Sequence, residues 1–501
     1  MTRNLVATTT TGKVSGTEGD GFVSFLGIPY AEPPVGARRF RPPVPVPSWD
    51  GVRPADKIGA ICPQPYDDLD RLIGVPDMRS SEADCLTVNV WTPDTDDHAR
   101  PVLVWVHGGA YVTGSNAWEI YHGPSFARDG AVFVSVNYRL NAFGFLNLTE
   151  LFPDSEHCLN LGIQDACLGL RWVQENISAF GGDPGRVTIF GESAGAGMVS
   201  SMLAAPAARG AFHRVIPQSG FTMNLLKPEQ STQVARNFCA ATGVAPGDWD
   251  ALLNLPVDRI VTAAADSPLM LKDVPGGPWL PWNNTLDADV LPKTGYAAVV
   301  AGETSGIDLL IGTTADENKL AWLVEAPDGS DYPIDRLDVD TVQRLLSVYR
   351  AAGRGAEDWE VAEAIVNDQS YLIPSIRAAE AHLEHGGRVF QYIFTWRTPV
   401  LDGRLGSCHA LEVPFVFDRL DQPLFLGDAP PQTLADAMHA AWIRFAESGD
   451  PNGGSLPDWP TYEVRSRPTM RFDKDIVLLL DPREDERRAW DGVPTEALGV
   501  L

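Results

Sequence analysis

Gly191-Glu192-Ser193-Ala194-Gly195 sets a serine between two glycines, behind the apolar run Val187-Thr188-Ile189-Phe190 and ahead of Ala196 to Leu203, which reads as a helix. Strand, G-x-S-x-G and helix together form the setting of a nucleophile elbow. There a tight turn lifts the serine Oγ clear of a sheet, and the glycines supply the room it needs. A helix N-terminus behind the serine favours negative charge that develops beside it. The pentapeptide alone is common by chance, so its flanks carry the weight.

Serine is a weak nucleophile until a base removes its proton, and the base needs a third group to orient it. In elbow hydrolases the order along the chain is serine, acid, histidine. Downstream of Ser193, the run Leu309-Leu310-Ile311-Gly312-Thr313-Thr314-Ala315-Asp316-Glu317-Asn318 reads as a strand, a turn and two adjacent carboxylates. Neighbours on a loop point in different directions, so position leaves Asp316 and Glu317 both open, as it leaves open a merely solvated acidic loop. Of nine histidines, His409 sits in a loop beyond the strand-like Val389–Phe394 and downstream of both carboxylates. His98, His122, His157 and His213 lie in polar or loop surroundings, and His439 lies within a C-terminal helix. His382 and His385 are spaced i, i+3 without a further ligand, so no metal site is expected.

His107-Gly108-Gly109-Ala110 follows the apolar run Val102–Val106. Consecutive glycines let backbone N–H groups approach a reacting oxygen closely. Gly108 and Gly109, with the N–H of Ala194, would form an oxyanion hole. His107 is expected to orient this loop rather than to transfer protons. Such chemistry needs neither metal nor organic cofactor.

The elements that must hold these residues are strands alternating with helices. Val102–Val106, Ala131–Val136, Val187–Phe190, Leu309–Ile311 and Val389–Phe394 look like strands buried on both faces. Leu168–Ile177 and Thr433–Glu447 carry helical spacing, the second ending at Ser448-Gly449-Asp450-Pro451. Gly12–Gly16 and Phe22–Gly27 read as β-structure, followed by a proline-rich loop from Pro29 to Pro47 closed by Trp49. The pattern predicts an α/β fold with a mainly parallel central sheet flanked by helices. No linker, repeat or low-complexity stretch divides the 501 residues, so one domain over 1–501 is expected.

A net charge of −27 argues against nucleic acid as a partner. No run of about 18 apolar residues would span a membrane. The stretch from Met1 to Thr10 lacks the apolar core of a signal peptide, which makes the cytoplasm the expected compartment. On that basis the sequons at Asn147, Asn176 and Asn283 are read as chance. The oligomeric state is left open, leaning to a monomer.

These motifs together resemble the type-B carboxylesterase family of α/β-hydrolases. Phe25-Leu26-Gly27-Ile28-Pro29-Tyr30-Ala31-Glu32-Pro33-Pro34 is similar to its N-terminal signature, and Asp84-Cys85-Leu86-Thr87-Val88-Asn89-Val90-Trp91 to the motif before the oxyanion strand. Asn137-Tyr138-Arg139, Asn176 to Pro184, Gln218-Ser219-Gly220 and Gly449-Asp450-Pro451-Asn452 agree as well, so the likeness covers nearly the whole chain, the bacterial members most closely. It implies an α/β-hydrolase fold with large helical insertions after the nucleophile strand. It also implies that the acid is Glu317 and the base is His409, which precedes Glu412 to Phe417.

The chain departs from the family pattern at Ala83, Ala166 and Asn318, and within Pro281-Trp282-Asn283-Asn284-Thr285. The family's first disulfide would correspond to Cys62–Cys85, whereas a cytoplasmic protein would keep both as thiols. The segment between those cysteines has no tryptophan, against a choline ester as substrate. The expectation is a serine carboxylesterase that hydrolyses esters of small, short-chain or aromatic acids and alcohols through an acyl-enzyme on Ser193. Carbamate or amide hydrolysis, or acyl transfer, would use the same groups. A non-catalytic binding relative would lack the serine.

Overall fold

Runs of β-branched and aromatic residues, apolar on both faces, form the buried strands, and the chain returns between them through helices. The computed structural model describes residues 5–66, 70–71, 74–323, 334 and 337–499. Residues 1–4 of the Met1–Thr10 stretch therefore lie outside the described residues. Two compact units are present, built from interleaved segments. One unit takes the chain up to Tyr66, Asp77–Val215 and Leu225–Gly295; the other takes the segment ending at Pro76, Ile216–Asn224 and the chain from Tyr296 onward.

The first unit contains β1 (Val6–Thr8), β2 (Lys13–Ser15), β3 (Thr17–Gly19), β4 (Phe22–Pro29), β5 (Val52–Pro54), β6 (Thr87–Thr92), β7 (Arg100–Val106), β8 (Val132–Val136) and β9 (Gly182–Glu192). Its larger sheet runs β9-β7-β8-β6-β4-β3, and β1-β2-β5 form a small separate one. β7 pairs in parallel with both β8 and β9, while β6, β4 and β3 join antiparallel. Val102, Leu103, Val104 and Trp105 of β7 are each at most 1% exposed, which makes this strand the centre of the core. Its register aligns Val106 with Gly191 of β9, so His107 and Glu192 leave the sheet at the same level.

α1 (Leu161–Asn176) starts seven residues ahead of its sequence-predicted start, where Asn160 adopts the left-handed region (φ 53) and bonds Thr285 O. α2 (Ala194–Met202) follows β9. The expected helical insertions then appear as α3 (Pro228–Thr242), Trp249–Leu253, α4 (Val257–Ala265) and Ser267–Met270.

In the second unit the order is β14-β13-β12-β11-β10, from β10 (Arg214–Gln218, which starts in the first unit), β11 (Asp308–Thr314), β12 (Val389–Phe394), β13 (Pro468–Phe472) and β14 (Val477–Leu480). β11, β12 and β13 are parallel, and β14 turns back antiparallel. Around them lie α5 (Val339–Ala351), α6 (Asp358–Asn367), α7 (Ile373–Glu384) and α8 (Gln432–Ser448). One π-helical turn, Asp368–Leu372, joins α6 to α7. β7, β8 and β9 in one unit and β11, β12 and β13 in the other form the predicted parallel core, and antiparallel strands extend each sheet at its edge. β6 is buried along its whole length, so no alternation in its sequence marks it as an antiparallel strand.

All six cysteines are buried free thiols, Cys62 and Cys85 included. Cys62 Sγ donates to Tyr138 O at 3.0 Å. Among the described residues no helix is long and apolar enough to cross a membrane. Beneath the first sheet, Arg139 (side chain 2% exposed) forks onto Asp165 (0%) through Nε and Nη2, each at 2.7 Å, and its Nη1 donates to Arg41 O at 2.8 Å. Asp165→Ala leaves that guanidinium buried without its counter-charge, which costs about 3–5 kcal/mol. The expected outcome is a large fall in the urea midpoint. An unchanged midpoint would show that the pair contributes nothing to stability.

Candidate active site

β9 ends at Glu192, Ser193 turns to φ 58, ψ −126, and α2 begins at Ala194. Only the absence of side chains permits this turn. A β-carbon on Gly191 would stand 2.6 Å from Val106 O and from Gly195 O, and one on Gly195 would stand 2.1 Å from Val106 O. Ser193 is left 8% exposed at the N-terminus of α2.

The loop after β7 runs against this turn. A β-carbon on Gly108 would lie 2.7 Å from Glu192 O and 3.1 Å from Ser193 Cβ, so the Gly108 backbone passes close against the serine. His107 Nδ1 bonds Gly108 O at 2.9 Å, and the imidazole stacks on Tyr138 with centroids 4.4 Å apart. Tyr138 OH in turn donates to His107 O at 2.8 Å. The Gly108 carbonyl and the Gly109 N–H belong to one planar peptide and point opposite ways. Holding the carbonyl on the imidazole therefore turns the N–H away from it. Gln64 secures the far end of the loop, accepting from Gly114 N at 2.7 Å and donating to Gly114 O at 3.0 Å. Ser193, Ala194, Gly108 and Gly109 are thus gathered in the first unit.

Glu317 and His409 are gathered in the second. Glu317 Oε2 lies 2.6 Å from His409 Nδ1, and Oε1 accepts from Thr314 N at 2.8 Å. His409 N also donates to Glu317 O at 3.2 Å. The Glu317 side chain is fully buried and the imidazole is 13% exposed. Its neighbour Asp316 faces elsewhere, accepting from Ser407 N at 2.9 Å and pairing with Lys319 Nζ at 2.8 Å and Arg397 at 3.3 Å. Burial alone would raise the Asp316 carboxyl, but Lys319 and these hydrogen bonds outweigh it and hold it below its usual value. The two carboxylates that sequence position leaves open differ by which way the loop turns them.

Other histidines are committed to backbone. His382 Nε2 lies 2.8 Å from Ile307 O, His385 Nε2 2.8 Å from Val300 O, and His439 Nδ1 2.7 Å from Val416 O. Among the described residues no cluster of three or more His, Cys, Asp or Glu is arranged to hold a metal ion. Sequence reasoning missed Gln64 and Tyr371, and it met Tyr138 only within a motif. The Tyr371 ring packs on His409 with centroids 5.2 Å apart at 46°.

A family model for the carboxylesterase family matches residues 3–490. The chain belongs to the carboxylesterase family. It is 36% identical to a para-nitrobenzyl esterase of Bacillus subtilis over 97% of this chain and 98% of that protein, and 35% identical to a phenmedipham hydrolase of Pseudarthrobacter oxydans over 96% of each. A carboxylesterase crystal structure from Geobacillus stearothermophilus superposes with TM-score 0.84 at 36% identity, covering 97% of this chain and all of that one. A thermophilic para-nitrobenzyl esterase gives 0.85 at 36% identity over 97% and 99%. The protein is a carboxylic ester hydrolase of the α/β-hydrolase fold.

In this carboxylesterase two of the departures from the family pattern have structural uses. Asn318 Nδ2 reaches Glu363 O of α6 at 3.4 Å. In the altered segment Pro281–Thr285, Trp282 is fully buried with Nε1 on Ala264 O at 2.8 Å, and Thr285 N bonds Asn160 Oδ1 at 2.7 Å. Burial pushes the His107 imidazole down from 6.5 to about 4, against the opposing pull of its Gly108 bond. The unfolded chain therefore takes up a proton below about pH 6.5 that the folded one refuses until about pH 4. Native stability falls as pH drops through that window, by about 3 kcal/mol for this group. Burial lowers His213 and His382 in the same sense. Urea midpoints measured from pH 7 to 4.5 should drop, and less steeply in His107→Gln; an identical slope in the variant contradicts the assignment.

Proposed function

We propose that Ser193 is the nucleophile, His409 its general base and acid, and Glu317 the group that orients and stabilises the imidazole. Gly108, Gly109 and Ala194 supply the N–H groups that hold the oxyanion. The observation that carries this reading is the turn at Ser193, a non-glycine residue at φ 58 between a buried strand and a helix N-terminus. Backbone strain of this kind costs roughly 1–3 kcal/mol and persists where surrounding structure enforces it. The buried Glu317–His409 bond of 2.6 Å supports the second half of the assignment.

In the proposed reaction His409 Nε2 takes the Ser193 hydroxyl proton as Oγ attacks the ester carbonyl carbon. The carbonyl oxygen becomes an oxyanion facing the loop N–H groups. Collapse of the tetrahedral intermediate breaks the bond to the alcohol oxygen, which leaves with the proton from His409. Water then repeats the steps on the acyl-enzyme and releases the acid, while Glu317 holds the tautomer and balances the imidazolium charge. Substrates are esters of small, short-chain or aromatic acids and alcohols, in line with the activity carried by the name of the para-nitrobenzyl esterase relative. Six buried free thiols fit an enzyme that resides in the reducing cytoplasm.

Ser193→Ala is expected to lower kcat on a para-nitrophenyl ester by about 10⁴-fold or more with the thermal midpoint retained. A phosphonate inhibitor followed by mass mapping should label Ser193 in the native enzyme. Native turnover by the alanine variant, or a label elsewhere, would falsify the nucleophile assignment. kcat/KM should rise with pH through roughly 6.5, the ordinary range of an imidazole, as the base becomes neutral. A flat profile from pH 5 to 8 speaks against a histidine base.

A further inference from the structure

A π-helical turn is uncommon and needs a local cause. At Asp368–Leu372 one cause is Pro374, which has no N–H to give to Ser370 O, so the ordinary helical ladder is already broken there. Ile373 N instead donates to Asp368 O, five residues back. Ser375 Oγ donates to Tyr371 O at 2.8 Å.

The turn is gripped from outside by the chain's last described segment. The buried Asp368 carboxylate accepts from Tyr349 OH at 2.6 Å and from Arg483 Nη1 at 2.7 Å, and Trp490 Nε1 donates to Tyr349 OH at 2.9 Å. Gln369 Nε2 donates to Ala497 O at 2.6 Å, and Gly499 N donates to Gln369 O at 2.9 Å. Asn224 Nδ2 holds the same segment through Leu498 O at 2.6 Å. An inserted residue rotates the next turns of a helix about its axis. Here that rotation, fixed by these bonds, brings the Tyr371 ring against the His409 ring, centroids 5.2 Å apart and tilted by 46°.

We propose that Tyr371 is a positioning residue for His409: its ring clamps the imidazole against Glu317 and favours the doubly protonated form, with the strapped π-turn setting its aim. The proposal rests on His409 being the base. A carboxylate on Nδ1 fixes one edge of the imidazole but leaves the ring free to tilt, and a second ring packed against it removes that freedom. The negative face of an aromatic ring attracts a cation, so the imidazolium formed when serine loses its proton gains from the contact. Glu317 occupies Nδ1, the buried Cys408 thiol is pushed up and stays neutral, and Asp316 is engaged with Lys319, Arg397 and Ser407 N.

The test is the pH dependence of kcat and KM for para-nitrophenyl acetate in Tyr371→Leu, Tyr371→Met and Tyr371→Phe. Removing the ring is expected to lower kcat about 5- to 10-fold with KM within about 2-fold, and to move the acid limb of kcat/KM down by about half a unit. Phe keeps the ring and should restore both rate and limb. The Met variant fills the space flexibly and must behave as Leu does, whether or not Leu folds well. Simple loss of packing would admit water to His409 and move the limb up or leave it in place. That result, or a Phe variant that behaves like Leu, overturns the clamp. His409→Gln and phosphonate labelling report on the triad separately: a limb lost with His409→Gln but unmoved by the Tyr371 variants discards the clamp and keeps the triad.

Discussion

The backbone crossing of Val106 and His107 with Gly191 and Gly195 admits no β-carbon at either glycine. Everything assembled around Ser193 depends on that exclusion. Because β7 and β9 are paired in register up to Val106 and Gly191, the two strand ends emerge together, and the loop beginning at His107 has no choice but to pass the serine. The parallel core behind them, with β7 buried on both faces, is what makes a strained residue at φ 58 tolerable. A turn costing roughly 1–3 kcal/mol survives only where its surroundings cannot relax around it.

The second unit meets a different constraint, the burial of a charge. A carboxylate without solvent must be satisfied by hydrogen bonds or it takes up a proton. Glu317 receives one from Thr314 N and another from His409, and it is these bonds that make a buried acid on a loop tenable. Asp316, one residue earlier, is tied to Ser407 N, Lys319 and Arg397, and Gly406 packs so tightly on it that a β-carbon there would lie 2.3 Å from its Oδ2. The pair of neighbours is thereby split between holding the loop's shape and holding the imidazole.

Much of this was legible in sequence, and the boundary of legibility is physical. The elbow and the Gly108-Gly109 loop announce themselves because close backbone approach demands glycine, a local signal. Strands β7, β8, β9, β11 and β12 declare themselves by unbroken apolar runs. β6, β10 and β13 do not, since burial on every side erases alternation and their threonine, asparagine and proline content resembles a loop. Gln64 acts on Gly114 from 50 residues away, and nothing local marks it. Tyr371 is aimed by a π-turn whose restraints come from Tyr349, Arg483, Ala497 and Gly499, so no window of sequence contains the reason.

Two imidazoles in this chain illustrate how partner choice sets a role. His107 and His409 each bond through Nδ1, which fixes ring orientation in both. His107 faces a neutral carbonyl inside the core, where the bond to Gly108 only partly offsets the cost of charging it, and it is pushed down to about 4. It can therefore shape a loop across the working pH range without taking part in proton traffic. His409 faces a carboxylate and is 13% exposed. A carboxylate stabilises an imidazolium, whereas a carbonyl merely orients a neutral ring. The same side chain thus becomes scaffold in one setting and candidate proton carrier in the other, by the charge of a single neighbour.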